Sequence, residues 1–153
     1  MTIGLIGRKV GREGGRTALA VIAEMGKFDA KLAKATTPDL IVIRAQFANA
    51  VQALKEATEW AIANFNGDIR GVFAGAVPFL KMWGITASGW QMARAALISQ
   101  QRLDAGEGDA VFYKSKIATT RFFADHFLSQ ASMLKHVVTA GSVGTLEMAD
   151  EAF

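Results

Sequence analysis

The sequence predicts an all-α protein, an antiparallel four-helix bundle with a short basic N-terminal leader and a C-terminal tail. Apolar residues recur every three or four positions through four long stretches, which is the spacing of one helix face. No stretch of useful length alternates with the period of two that is typical of a strand. Because short connections separate the four stretches, consecutive helices are expected to lie antiparallel.

Composition favours one domain and excludes several classes of protein. The chain has 153 residues, of which 51% are hydrophobic and 20% charged, enough for one core. The absence of cysteine excludes a disulfide framework, a cysteine-ligated zinc site and a thiol nucleophile. It is also typical of a reducing compartment, so we expect a cytoplasmic location. The longest stretch without a charged residue, residues 82–93, has 12 positions, too few for a transmembrane segment of about 20.

Basic residues are concentrated at the N-terminus. Residues 1–16 carry a net charge of +3, while the remaining residues are neutral overall. Residues 1–16, which contain the glycine-rich break at 11–15, are therefore predicted to be a leader or linker, and residues 17–153 the helical bundle. The leader also provides four candidate contacts for an anion: Arg8, Lys9, Arg12 and Arg16.

The first two helices are predicted from periodicity and capping residues. The first covers residues 16–35. The second begins near Pro38 and runs to about Phe65, with apolar residues at steps of three or four throughout. Thr37 is expected to cap it, Pro38 suits its first turn, and Asp39 favours the positive end of its dipole.

The third and fourth helices are predicted to be long and continuous. The third, residues 69–101, is apolar nearly all round, which is typical of a central helix, and a kink is expected near Pro78. Asp68 is expected to cap it, and a row of small residues is interpreted as a packing device: Gly67, Gly71 and Gly75. The fourth helix covers residues 110–140, between a cap at Asp109 and a stop at Gly141, and residues 142–153 form a tail with a short helical turn.

No residue pattern in the chain predicts a catalytic, cofactor-binding or metal-ligating site. A di-iron site in a bundle needs Glu-x-x-His on two helices, yet neither His126 nor His136 has a glutamate three residues before it. Glu56 and Glu59 share a helix face, which is interpreted as a solvated face because Lys55 lies beside them. The sequence before Thr17 departs from a Walker motif, since Arg16 replaces the lysine and no strand precedes it.

The third and fourth helices carry more apolar side chains than one narrow stripe accommodates. Part of this surface is expected to stay exposed and to contact another protein mass or a second copy of the chain. Seven residues are candidates for that interface: Phe73, Phe79, Trp83, Trp90, Phe122, Phe123 and Phe127.

Several motifs, in order and spacing, resemble the C-terminal helical domain of the acyl-CoA dehydrogenase family, in particular the 3-methylmercaptopropionyl-CoA dehydrogenase-like group. The resemblance covers essentially the whole chain. The motifs are residues 5–9 (LIGRK), 74–80 (AGAVPFL), Gly89-Trp90, 112–126 (FYKSKIATTRFFADH), 138–141 (VTAG) and 150–153 (DEAF).

The resemblance implies that the parent protein is an FAD-dependent oxidoreductase of fatty acid metabolism, in which a glutamate removes the α-proton of an acyl-CoA while the flavin accepts a hydride. In the family that glutamate lies just upstream of the segment that residues 5–9 resemble, so no catalytic residue is carried over. Glu13 and Glu24 do not replace it. We therefore expect a structural or oligomerisation role, no cofactor in this chain, and no turnover by the chain alone.

Two alternatives stay open at this point. A free-standing helical module would bind a partner protein through the third and fourth helices. A nucleic-acid-binding accessory domain, the less favoured alternative, would use the four basic residues of the leader and would lose affinity steeply with salt.

Overall fold

The computed structural model describes residues 12–148. Within this range no strand occurs, so the predicted all-α class is confirmed. The α-helices are α1 (Arg16–Leu32), α2 (Pro38–Asn64), α3 (Ile69–Ala74), α4 (Ala76–Asp104), α5 (Ala110–His126), α6 (Ala131–Ala140) and α7 (Ser142–Leu146), with 3-10 helices at Arg12–Gly15 and Leu128–Gln130. The short helical turn expected in the tail is α7.

Helix α2 lies at the centre of the bundle and contacts α1, α4, α5 and α6. Its inward face repeats at steps of three or four, as predicted, and its buried residues are Leu40, Ile43, Phe47, Ala50, Ala53, Leu54, Ala57, Thr58 and Ala61. Helix α4 shares the centre, because it packs against α2, α5 and α6. The expectation that the third predicted helix is central therefore holds for its longer part.

Three ion pairs connect α2 to its neighbours at the edge of the core. Arg44 of α2 donates two hydrogen bonds of 3.2 Å to Asp29 of α1. Arg121 of α5 donates to Asp39 at 2.9 Å, and Lys135 of α6 donates to Glu56. Each pair involves a different partner helix, so together they fix the positions of three helices along α2.

The predicted third helix is wrong as one continuous element, because the chain breaks at Gly75 into α3 and α4. A side-chain β-carbon at Gly75 would lie 3.0 Å from the carbonyl oxygen of Val138, so only glycine allows α6 to approach this closely. The break precedes Pro78 by three residues. Pro78 lies in the first turn of α4, where a missing N–H costs nothing, and the hydrogen bond from Phe79 N to Gly75 O begins the helix.

The predicted fourth helix is also interrupted, after His126, by the 3-10 helix Leu128–Gln130. The last carbonyl groups of α5 are satisfied by side chains: Ser129 Oγ donates to Asp125 O at 2.6 Å, and Gln130 Nε2 donates to His126 O at 2.7 Å. Leu128 is buried against Gly89 of α4. The interruption therefore allows the Leu128 side chain to enter the core, which it would not reach if the helix continued.

Two of the three predicted helix caps are confirmed. Asp68 accepts from Gly71 N at 3.0 Å, and Asp109 accepts from Val111 N at 2.9 Å. Thr37 occupies the N-cap position of α2, but its hydroxyl makes no capping hydrogen bond. In the glycine row, only Gly75 lies against another helix, while Gly71 leaves room for the capping carboxylate of Asp68.

Gly84 and Gly89 of α4 provide a matched pair of stability tests. A β-carbon at Gly84 meets nothing within 4 Å, so Gly84→Ala should stabilise the protein by about 0.5–1 kcal/mol through helix propensity. At Gly89 the β-carbon would lie 2.6 Å from Leu128 Cδ2, so Gly89→Ala should be about 1–3 kcal/mol less stable than Gly84→Ala. Urea unfolding measures both, and equal stability of the two variants would contradict the packing assigned to Leu128.

The ion pair between α2 and α6 predicts a pH dependence of stability. Hydrogen bonds from Lys135 and then Gln52 hold the pKa of Glu56 below its usual value. Because the folded pKa is the lower one, this stabilisation is present above the unfolded pKa of about 4.3 and is lost as the pH falls through the folded pKa. Glu56→Gln should therefore reduce the free energy of unfolding at neutral pH by less than about 1 kcal/mol, seen as a small fall in Tm, because the pair is still partly open to solvent.

The difference between Glu56→Gln and the unaltered chain should shrink at acidic pH, where both lack the charge. Glu59→Gln is the control, since Glu59 lies 3.9 Å from Lys55 of its own helix and should change Tm less. A Glu56→Gln effect of the same size at neutral and acidic pH would show that the ion pair is not its cause.

Candidate functional site

The most prominent exposed feature is a group of aromatic rings at the end of α5, which we call the aromatic surface: Phe122, Phe123, His126 and Phe127. The rings of Phe122 and His126 stack with centroids 4.1 Å apart, and those of Phe123 and Phe127 with centroids 5.1 Å apart. Phe122 is 56% exposed and Phe127 is 39% exposed. Large exposed aromatic side chains that are held in place by stacking are typical of protein contact sites.

The seven interface candidates from the sequence fall into three groups. Phe122 and Phe127 are exposed, as an interface requires. Four are half-buried and packed against the core: Phe73, Trp83, Trp90 and Phe123. Phe79 is only 1% exposed, so its assignment to the surface is wrong: it contacts Trp83 edge-to-face inside the bundle.

The sequence reasoning missed Phe112 as a surface residue. Its ring is 52% exposed at the first turn of α5, with the Lys116 ammonium 5.2 Å from the ring centre. Phe112 lies ten residues before Phe122 on the same side of α5, opposite the buried Ile117 and Ala124. The sequence signal for this exposure was the position of Phe112 on the helix, because residues opposite the buried side of α5 must face outward.

The four anion-contact candidates are only partly described. Arg8 and Lys9 lie outside the described residues. Arg12 is the first residue of the 3-10 helix Arg12–Gly15, and Arg16 begins α1 with an exposed side chain. The nucleic-acid alternative therefore stays a prediction.

The carboxylates and histidines of residues 12–148 form no group of three or more that could hold a metal ion. Glu56 is engaged by Lys135 and Gln52, and its lowered pKa makes it a poor proton acceptor near neutral pH. Glu59 is exposed beside Lys55, in agreement with the predicted solvated face. Over the same range, no helix combines the length and apolar character that a membrane crossing requires.

Two open clefts lie where the α1–α2 connection meets the end of α4. One, of about 380 Å³, is lined by Lys31, Lys34, Ala35, Thr36, Thr37, Leu40, Leu97, Gln100, Gln101 and Asp104. The other, of about 550 Å³, shares Thr37 and Gln100 with it and adds Asp39 and Lys114. Each cleft combines lysine with aspartate at an open surface, so neither concentrates one sign of charge on a bound group.

Residues 21–149, which include the whole helical core, match the sequence model of the family described as "Acetyl-CoA dehydrogenase C-terminal like". The chain belongs to this family of acyl-CoA dehydrogenase C-terminal domains. Its membership confirms the resemblance that the helical motifs indicated. The matched range contains the buried core residues of α1, among them Ile22, Met25 and Leu32, as well as those of α2, α4, α5 and α6.

Two relatives in this family are 35% identical to the chain. One is the 3-methylmercaptopropionyl-CoA dehydrogenase of Ruegeria pomeroyi, matched over 128 residues, which are 84% of this chain and 21% of the relative. The other is the broad-specificity linear acyl-CoA dehydrogenase FadE5 of Mycobacterium tuberculosis, matched over 81 residues, 52% of this chain and 13% of the relative. The chain thus spans about a fifth or less of the length of these relatives.

The division of the aromatic residues between core and surface is testable by truncation in the isolated chain. Phe79→Ala should cost about 3–5 kcal/mol, because it leaves a cavity at a site that is 1% exposed. Phe122→Ala should cost only about 1 kcal/mol, the order of one aromatic stacking contact, because the ring is 56% exposed. Thermal unfolding followed by circular dichroism measures both, and equal losses would contradict the exposed position of Phe122.

Proposed function

We propose that this chain acts as a structural C-terminal domain of an FAD-dependent acyl-CoA dehydrogenase-like protein, in which it covers the catalytic core and supports contacts between subunits. Family membership and the names of both relatives support the parent activity. In this proposal the oxidation of an acyl-CoA thioester, as part of cytoplasmic fatty acid metabolism, belongs to the whole protein. This chain contributes stability and assembly rather than a chemical step.

The observation that carries the proposal is the aromatic surface at the end of α5. Phe122 and Phe127 lie with ring centres 6.5 Å apart and are both open to solvent. Burying such rings contributes about 25 cal/mol for each Å² of apolar surface removed from water. Contact with a neighbouring protein that covers both rings would therefore be stabilised by burial that the isolated domain does not achieve.

The two clefts near the end of α4 lack the donors that a flavin dinucleotide needs. Its pyrophosphate needs converging amide or cationic donors, as at a glycine-rich turn before a helix. These two clefts instead combine lysine with aspartate: Lys31, Lys34 and Asp104 line one, and Lys114 and Asp39 line the other. We therefore assign no flavin contact to these clefts, and in the proposal FAD is held by other domains of the parent protein.

A chimera tests the structural role. Three proteins are compared: the Ruegeria pomeroyi relative, the same enzyme truncated before its C-terminal matched segment, and a chimera carrying residues 21–149 of this chain there. The truncated enzyme should lose retained FAD absorbance, thermal stability or its native oligomeric size, and the chimera should recover them. A truncated enzyme with unchanged FAD content, Tm and size would overturn the proposed role.

Two further chimeras separate a docking role from mere folding of the domain. Phe122→Asp places a charge in the aromatic surface, whereas Val77→Asp places one at a residue of α4 that is 68% exposed. Only Phe122→Asp should reduce the recovery, because its carboxylate loses water when the surface is covered. Equal recovery by both would show that the aromatic surface is not the contact.

A further inference from the structure

One row of exposed residues along the outward side of α5 contains no lysine, arginine, aspartate or glutamate, and we call it the α5 stripe: Phe112, Ser115, Thr119, Phe122 and His126. Successive members are separated by three, four, three and four residues, so they follow one line along the helix. The inward side carries Ile117, Thr120 and Ala124, which are buried. Surface helices usually carry charged residues on such an outward line, so its composition requires a reason.

The polar groups of the α5 stripe are already satisfied within the helix. Ser115 Oγ donates to Val111 O at 2.9 Å, and Thr119 Oγ1 donates to Ser115 O at 2.8 Å. Both hydroxyl protons can therefore lose contact with water without leaving a donor unpaired. Ser115, Thr119 and the neighbouring Ala118 are also small, so the backbone of another helix can come close at this point.

The α5 stripe has the same spacing when it is followed in either direction between its two phenylalanines. From Phe112 the steps to Ser115, Thr119 and Phe122 are three, four and three, and they are the same in reverse. A two-fold axis near position 117 would thus place Phe112 of one copy against Phe122 of the other, and Ser115 against Thr119. An interface that maps onto itself in this way is the isologous type found in two-fold dimers.

We propose that the α5 stripe binds the α5 stripe of a second copy of this chain in antiparallel orientation. The inference rests on the proposed function, in which the domain supports subunit contacts, and it names the partner of that contact. A parallel pair would instead place Phe112 against Phe112 and Phe122 against Phe122. It would also align the two helix dipoles unfavourably.

Charge also favours the antiparallel arrangement. Lys114 and Asp125 are eleven residues apart, three full turns, so they lie on the same flank of the stripe in opposite halves of α5. In an antiparallel pair, Lys114 of one copy lies toward Asp125 of the other. In a parallel pair, the two-fold axis would place these residues of the two copies on opposite flanks, so Lys114 would not meet Asp125, whose present partner is Arg121 of its own helix at 2.8 Å.

The available area predicts a weak dimer. With phenylalanine side chains of roughly 200 Å², exposures of 52% and 56% leave on the order of 100 Å² of each ring open. Four such rings account for roughly 400 Å², and the small residues between them add less than that, so the total stays below the roughly 1,000 Å² of specific, stable interfaces. We therefore expect a dissociation constant in the micromolar range or weaker.

Charge-swap variants of the full chain test both the partner and its direction. Phe112→Lys and Phe122→Glu should each weaken dimerisation about tenfold or more in sedimentation velocity, because each desolvates an unpaired charge. The double variant Phe112→Lys/Phe122→Glu should recover at least part of the affinity, because only the antiparallel pair places each lysine opposite a glutamate. Circular dichroism confirms the fold of each variant, and failure of the double variant to recover would overturn the antiparallel arrangement.

Disulfide formation gives a second readout, since the chain has no cysteine of its own. A mixture of Ser115→Cys and Thr119→Cys should form covalent dimers several-fold faster than Val77→Cys, an exposed control outside the stripe. Equal rates, or a chain that stays monomeric at about 1 mM, would overturn the inference. In that case, loss of chimera recovery with Phe122→Asp would still support the proposed function and would identify the parent's catalytic core as the partner.

Discussion

The packing of α2 against α1, α4, α5 and α6 is the constraint on which the rest of the structure depends. Its large buried residues, such as Phe47 and Leu54, fill the core, while its alanines let neighbouring helices approach. The ion pairs at its edge are partly open to solvent, and such pairs contribute little free energy. Their effect is on position: each joins α2 to a different helix. Hydrophobic burial therefore supplies stability, and the charges select one alignment of the helices.

Features that depend on neighbouring residues in the chain were predictable from the sequence. The periodicity that predicts α2 depends only on residues of that helix. Both the helix and its predicted inward face agree with the structure. The caps at Asp68 and Asp109 also depend on amide groups within three residues. Thr37 differs because its hydroxyl is buried without a hydrogen-bond partner and does not cap the amides at the start of α2.

The two interruptions could not be predicted, because each depends on a contact between distant segments. Gly75 is required by the approach of Val138, and Leu128 turns inward against Gly89. Neither contact leaves a local signal in the sequence. Pro78 was expected to kink a long helix, but it lies in the first turn of α4, where proline does not disturb the helix. The same limitation explains Phe79. In a helix that is apolar nearly all round, hydrophobicity is similar on every side. Its sequence therefore does not indicate which phenylalanine faces the core and which faces solvent.

Helix α5 shows how the interior and the exterior of this domain are related. On its inward side, Thr120 Oγ1 lies within hydrogen-bonding distance of two carbonyl groups, Met92 O of α4 at 3.2 Å and Lys116 O of its own helix at 2.9 Å, and so links α5 to its neighbour. On its outward side, the hydroxyls of Ser115 and Thr119 bond back to their own helix and need no solvent. The core thus holds α5 in one rotation, and that rotation presents an uncharged aromatic face. Because the same helix phase produces both sides, a substitution that changed the inward packing would also turn the outward face.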